Sequence, residues 1–111
     1  PAKGAYHTKL MFPAAVQIAK KLQKVQLNDP IIVVHSNVTG GYYKDVNDVS
    51  RSLVKQIYRP IKWEQMLHIL YEREPTCPFP ETIICGPLNP LGEYLKQVNA
   101  KAAVKVFNIT A

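Results

Sequence analysis

Cysteine is scarce in this chain: 111 residues hold two thiols, Cys77 and Cys85. Two cannot build the disulfide framework of a small secreted domain. Their setting, a Pro-rich stretch and a short apolar run, favours free thiols in a reducing compartment. Histidine is scarce too. His7, His35 and His68 stand far apart and no Cys/His spacing matches a zinc pattern, so no metal site is expected. Long apolar runs are missing. Pro30-Ile31-Ile32-Val33-Val34 has the length of a buried strand, far short of the roughly 18 residues that span a bilayer, so no membrane span is expected. A secretory leader is not expected either, because the charged start is not followed by an apolar stretch. The chain opens on Pro1, not Met, which reads as a processed, trimmed or partial product. It carries no internal repeat and no low-complexity tract.

What is present is a basic, fairly apolar composition. Lys and Arg number 14 against 8 Asp and Glu, a net charge of +6, and 47% of residues are apolar, enough for a core. An excess of positive charge favours anionic partners and steers their approach. Nucleic acid, the phosphates of CoA and acidic proteins all satisfy it. The cations are dispersed, however, with only Lys20, Lys21 and Lys24 grouped. A nucleic-acid binder more often carries a dense basic stripe interleaved with aromatics, so nucleic acid is not the expected partner.

Apolar periodicity and breakers divide the chain into alternating helices and short strands. Residues 12–26 predict an amphipathic helix: Pro13 suits the first turn, and Met11, Ala15, Ile18, Leu22 and Val25 recur at three-to-four spacing. Asn28-Asp29-Pro30 stops it. Ile31 to His35, continuous and β-branched, predicts a buried strand. After the Thr39-Gly40-Gly41 turn, residues 45–58 predict a second helix, capped by Asp45 or Asn47 and lined by Val46, Val49, Leu53 and Ile57. Pro60 ends it. Residues 63–73 predict a third helix with Trp63, Leu67 and Leu70 inward. A Pro-rich loop follows from Pro75 to Pro80, then a strand over 82–85. A fourth helix runs from Asn89 and Pro90, as cap and first position, to about Val98, and a last strand covers 103–107. The alternation implies an α/β layered fold with parallel strand pairing.

Three segments resemble one family. Gly4-Ala5-Tyr6-His7-Thr8-Lys9-Leu10-Met11 is similar to the G-A-F-H-S/T-x-x-M loop of the malonyl-CoA:acyl carrier protein transacylases. Ser36-Asn37-Val38, Leu53-Val54-Lys55-Gln56-Ile57 and Arg59-Pro60-Ile61-Lys62-Trp63-Glu64 resemble the family's S-N-V, L-V-x-Q-L and x-P-V-x-W stretches. Cys85-Gly86-Pro87-Leu88-Asn89-Pro90-Leu91 resembles its V-G-P-G-x-x-L turn, with Leu88 replacing the second glycine, so a backbone contact made by that turn is in question. The likeness runs in order from about Gly4 to Lys101. The wording of residues 63–73 is most similar to animal mitochondrial members, which implies the mitochondrial matrix, or otherwise the cytoplasm, as the location.

The resemblance implies that residues 1–111 are the C-terminal segment of the family's α/β-hydrolase-like large subdomain, with the histidine loop at 4–11. Family members run to roughly two to three times this length. Their G-H-S-x-G nucleophile elbow and the arginine that pairs with the malonyl carboxylate lie upstream. No G-x-S-x-G occurs in this chain, and Ser36, Ser50 and Ser52 have no elbow context. The implied reaction passes a malonyl group from malonyl-CoA, through a seryl ester, to the phosphopantetheine thiol of acyl carrier protein. No further cofactor is implied. The expected partners are malonyl-CoA, acyl carrier protein and the missing N-terminal part of the same enzyme.

Such chemistry needs a base beside a serine, because a hydroxyl is a weak nucleophile at neutral pH, and imidazole titrates in that range. His7 matches the family's catalytic histidine; read on its own it is more often an ordinary surface histidine. Gln56 matches the glutamine whose main-chain carbonyl orients that histidine, against the plainer reading of a solvated helix position. Asn37 could border the site or simply serve a turn. His35 reads as a satisfied core or edge histidine, His68 as exposed, and Trp63 as a core anchor. Two other functions compete: a non-catalytic carrier-binding fragment or paralogue that keeps the scaffold, and a nucleic-acid-binding domain, which the scattered charge disfavours. If the upstream strands are absent, an unpaired sheet edge and an exposed core face result, and the isolated segment is expected not to be a stable, soluble monomer.

Overall fold

A computed structural model describes residues 4–86 and 90–109. The chain forms two compact units, one running to Met66 and the other beginning at Leu67. In the first, a 3-10 turn over Lys9–Met11 leads into helix α1, Phe12–Leu22, and helix α2 spans Val46–Lys55 and packs against α1. Pro13 sits in the first turn of α1, where a missing N–H leaves no bond unmade. The helix ends earlier than expected, at Leu22 rather than Gln26. Beyond it Lys24 and Val25 donate to the carbonyls three residues back, Lys21 and Leu22, so the chain tightens into turns and Val25 lies exposed. Ala15 is the residue α1 buries; Ile18 is exposed, contrary to its place in the apolar stripe.

Asp45 caps α2 as the sequence predicts: its carboxylate accepts the Asp48 N–H at 2.7 Å. Asp48 in turn accepts the Lys44 N–H at 3.3 Å, and Asp29 accepts the Val46 N–H at 2.6 Å. Three carboxylates thus gather at the positive end of the helix. The helical span stops at Lys55 and passes into a turn, three residues short of the predicted Tyr58. Tyr58 meets Phe12 edge to face, with ring centroids 5.2 Å apart, fastening the start of α1 to the segment after α2.

The predicted buried strand at 31–35 is not formed. Ile31 is 99% exposed, Ile32 and Val33 73%. A strand is held by its ladder, and among the described residues no neighbouring strand pairs with Ile31–Val33. Only the end of the run is engaged. Val34 accepts the Tyr43 N–H at 2.9 Å, and His35 forms an isolated antiparallel bridge with Tyr42. The intervening loop closes through buried Ser36, and Gly40 adopts a φ of 78°.

Helix α3 spans Trp63–Tyr71, ending two residues before the predicted Arg73, whose Nε caps the Leu70 carbonyl at 3.0 Å. In the second unit Tyr71 is buried, stacks on Phe79 at 5.6 Å and hydrogen-bonds Thr82 Oγ1 through its hydroxyl. Strand β1, Thr82–Cys85, lies where predicted. It pairs in parallel with β2, Val106–Ile109, in the register Thr82↔Val106 to Cys85↔Ile109. Between them run α4, Pro90–Val98, and a short α5, Ala100–Ala103, as a parallel pair requires a crossover. The predicted final strand at 103–107 is thus displaced by α5, which Asn99 caps by accepting the Ala102 N–H at 3.0 Å. Ile84, Leu95 and Ala102 form the core of this unit with Leu67 and Tyr71. The Leu88 departure and the Asn89 cap lie outside the described residues. The architecture is α/β with parallel pairing, as the alternation implies.

Candidate active site

The helix break at Pro60 creates the site. In a continuing helix the carbonyl of Gln56 would accept from the N–H of residue 60, and proline has none. The freed carbonyls of Gln56 and Ile57 both turn to His7. The Ile57 carbonyl accepts the His7 main-chain N–H at 3.1 Å, and the Gln56 carbonyl lies 2.7 Å from His7 Nδ1. A carbonyl can only accept, so Nδ1 carries the proton and Nε2 is left with a free lone pair. His7 has a φ of 62°, the left-handed region that non-glycine residues rarely adopt and that collects at functional sites. Thr8 steadies the loop, its hydroxyl donating to the Ala5 carbonyl at 2.7 Å. His7 is half-buried, its ring tethered at Nδ1, and among the described residues Nε2 makes no hydrogen bond.

The structure therefore brings His7 and Gln56 together through 49 residues of sequence separation. Asn37 is elsewhere in its contacts: its carbonyl accepts the Lys62 N–H at 2.8 Å, and among the described residues it makes no hydrogen bond to His7. Ile57, expected only on the apolar face of the second helix, is the second anchor of the histidine. A main-chain carbonyl has no residue-type signature; the only clue was Pro60 three residues on. His35 is satisfied locally, with Nδ1 2.9 Å from the Gly40 carbonyl, and His68 sits 2.8 Å from Glu72 on the outer side of α3. Trp63 is half-buried, its Nε1 hidden and without a hydrogen-bond partner among the described residues. Cys77 and Cys85 are free and exposed. Among the described residues no cluster of three or more His, Cys, Asp or Glu could hold a metal, and no helix is long and apolar enough to cross a membrane.

No family model matches the sequence. Curated relatives do. A probable mitochondrial malonyl-CoA-acyl carrier protein transacylase of Drosophila melanogaster is 48% identical over 97% of the chain, and the mitochondrial malonyl-CoA-acyl carrier protein transacylase of Homo sapiens 38% over 92%. The chain is homologous to a segment of the malonyl-CoA-acyl carrier protein transacylases. It spans 28% and 26% of their lengths, so these relatives are more than three times as long, beyond the two- to threefold expected. The fold agrees: the malonyl CoA-acyl carrier protein transacylase structure from Coxiella burnetii superposes on 97% of the chain with a TM-score of 0.85 at 25% identity, using 32% of its own length.

Proposed function

We propose that this chain is the C-terminal, histidine-bearing segment of a malonyl-CoA:acyl carrier protein transacylase and that His7 is its general base. The observation that carries the reading is the clasp on His7: Nδ1 held by the Gln56 carbonyl at 2.7 Å, with no hydrogen bond to Nε2 among the described residues. The serine nucleophile belongs to the rest of the enzyme. His7 Nε2 takes the serine proton as Oγ attacks the malonyl thioester, and returns it to the departing CoA thiolate. In the second half it takes the proton of the phosphopantetheine thiol, which attacks the seryl ester. The proton then passes to the released serine oxygen. The Gln56 carbonyl does the orienting work that a carboxylate does in a Ser-His-Asp triad. Such chemistry draws on no cofactor beyond its two thiol carriers. The animal relatives are named as mitochondrial, which supports a site of action in the mitochondrial matrix; cell fractionation tests this.

The deciding experiment is the denaturing intact mass of the natural polypeptide before and after malonyl-CoA. Gain of one malonyl group, lost again on addition of acyl carrier protein, is the expected result. A polypeptide that binds the carrier but never gains the group would instead be a scaffold-only paralogue.

A further inference from the structure

Beside the histidine clasp lies an open cleft of about 460 Å³, lined by Val38, Lys55, Arg59, Pro60 and Lys62. Its charged lining is all of one sign; no carboxylate contributes to it among the described residues. Lys55 has a local reason to be cationic, since it lies in the last turn of α2, where the helix dipole favours positive charge. Arg59 and Lys62 follow the helix break and have no such reason. The Lys62 main chain and the Arg59 side chain each have one contact. The Lys62 N–H is bonded to the Asn37 carbonyl at 2.8 Å, and the Arg59 guanidinium lies 5.6 Å from the Tyr58 ring centroid. Three cationic residues line one concavity; like charges near one another repel, and an anion bound among them relieves that repulsion.

We propose that this cleft binds the phosphates of CoA in the malonyl donor, an inference that rests on the transacylase reading and names the substrate contact within it. The concavity favours this ligand over the acidic face of a carrier protein: the volume falls within the range of small-molecule sites, and a planar guanidinium beside ammonium groups suits phosphoryl oxygens. The placement also serves the reaction. Lys55 and Arg59 bracket the two carbonyls that hold His7, so the anion site and the base are built on one short segment. The flexible pantetheine arm then joins phosphates held in the cleft to a thioester presented at the base.

The test uses the natural full-length polypeptide and an Arg59→Gln/Lys62→Gln double variant, with CoA and pantetheine as calorimetric probes. Two lost charge-assisted contacts should weaken CoA binding at least about tenfold and leave pantetheine, which lacks the phosphates, unchanged. The Arg59→Lys/Lys62→Arg variant, which keeps the charge, should stay within about threefold of the parent, and its behaviour separates charge from folding. Unchanged CoA affinity, an equal loss for pantetheine, or a loss confined to carrier-protein binding overturns the proposal. The same preparations report malonyl transfer. Parent protein that binds CoA through these residues yet transfers nothing ends the transacylase reading and keeps the cleft. Transfer with CoA affinity untouched in the variant ends the cleft and keeps the reading.

Discussion

His7 is held in a conformation its side chain does not favour, by two carbonyls released by a proline. His7→Ala removes the proposed base but not the loop, whose main-chain bond to Ile57 remains. Malonyl transfer by the intact enzyme should fall by about 10²- to 10⁴-fold with the melting temperature little changed. Steady-state transfer to acyl carrier protein checks this, and retention of more than a tenth of the activity would sink the assignment. Gln56 acts through its backbone, so Gln56→Ala should keep activity within about threefold. Pro60→Ala is the more damaging change. It supplies the N–H that α2 lacks, lets the helix reclaim the Gln56 carbonyl, and leaves His7 Nδ1 without its acceptor. The expected result is a larger loss in kcat than in KM, read in the same assay. At this scale the sequence was informative where chemistry lives in a side chain. His7 could be picked out by type and motif, and Gln56 by motif alone. Ile57 could not, because its contribution is a carbonyl that every residue possesses.

Elements depend on ends more than on middles. Helix α2 is specified by Asp45, and Asp45→Ala should cost about 1 kcal/mol through the unsatisfied Asp48 N–H; chemical denaturation of the intact protein measures it. Gly40 is the matching point in the loop that precedes α2. Its φ of 78° is strained for any other residue, and an added Cβ would come within 3.1 Å of Gln65 Cβ and 3.2 Å of the Met66 nitrogen. Gly40→Ala should therefore destabilise by about 1–3 kcal/mol, more than the cap deletion. Helices α1 to α4 were legible because apolar periodicity, the Asp45 cap of α2 and the prolines at or near helix ends mark them. Helix α5 was not. Its four residues, Ala100–Ala103, carry no period, and only the Asn99 cap announced it. Reading through it displaced the last strand toward the N-terminus. The run at 31–35 misled for the opposite reason. Its composition is that of a strand, but pairing is supplied by neighbours, which a local reading does not see.

At the scale of the whole chain the apolar composition exceeds what the described core encloses. Buried hydrophobic residues are Ala15, Leu67, Tyr71, Ile84, Leu95 and Ala102, while Ile31, Ile32, Val33, Leu10, Phe12 and Val104 are all more than half exposed. Contiguous apolar runs with free main-chain donors and acceptors are templates for association. The Ile31–Val33 run is the clearest, and in a transacylase more than three times this length it would have further chain to pair with. Two consequences are opposed in sign and so test one idea. Isolated 1–111 should self-associate and lack a single sharp thermal transition, and Ile32→Lys should reduce its association in sedimentation velocity by interrupting the run. In the natural full-length polypeptide the same substitution should destabilise by about 2–4 kcal/mol, because a charge would then replace a buried aliphatic side chain. A full-length protein indifferent to Ile32→Lys would show that the run stays exposed there as well.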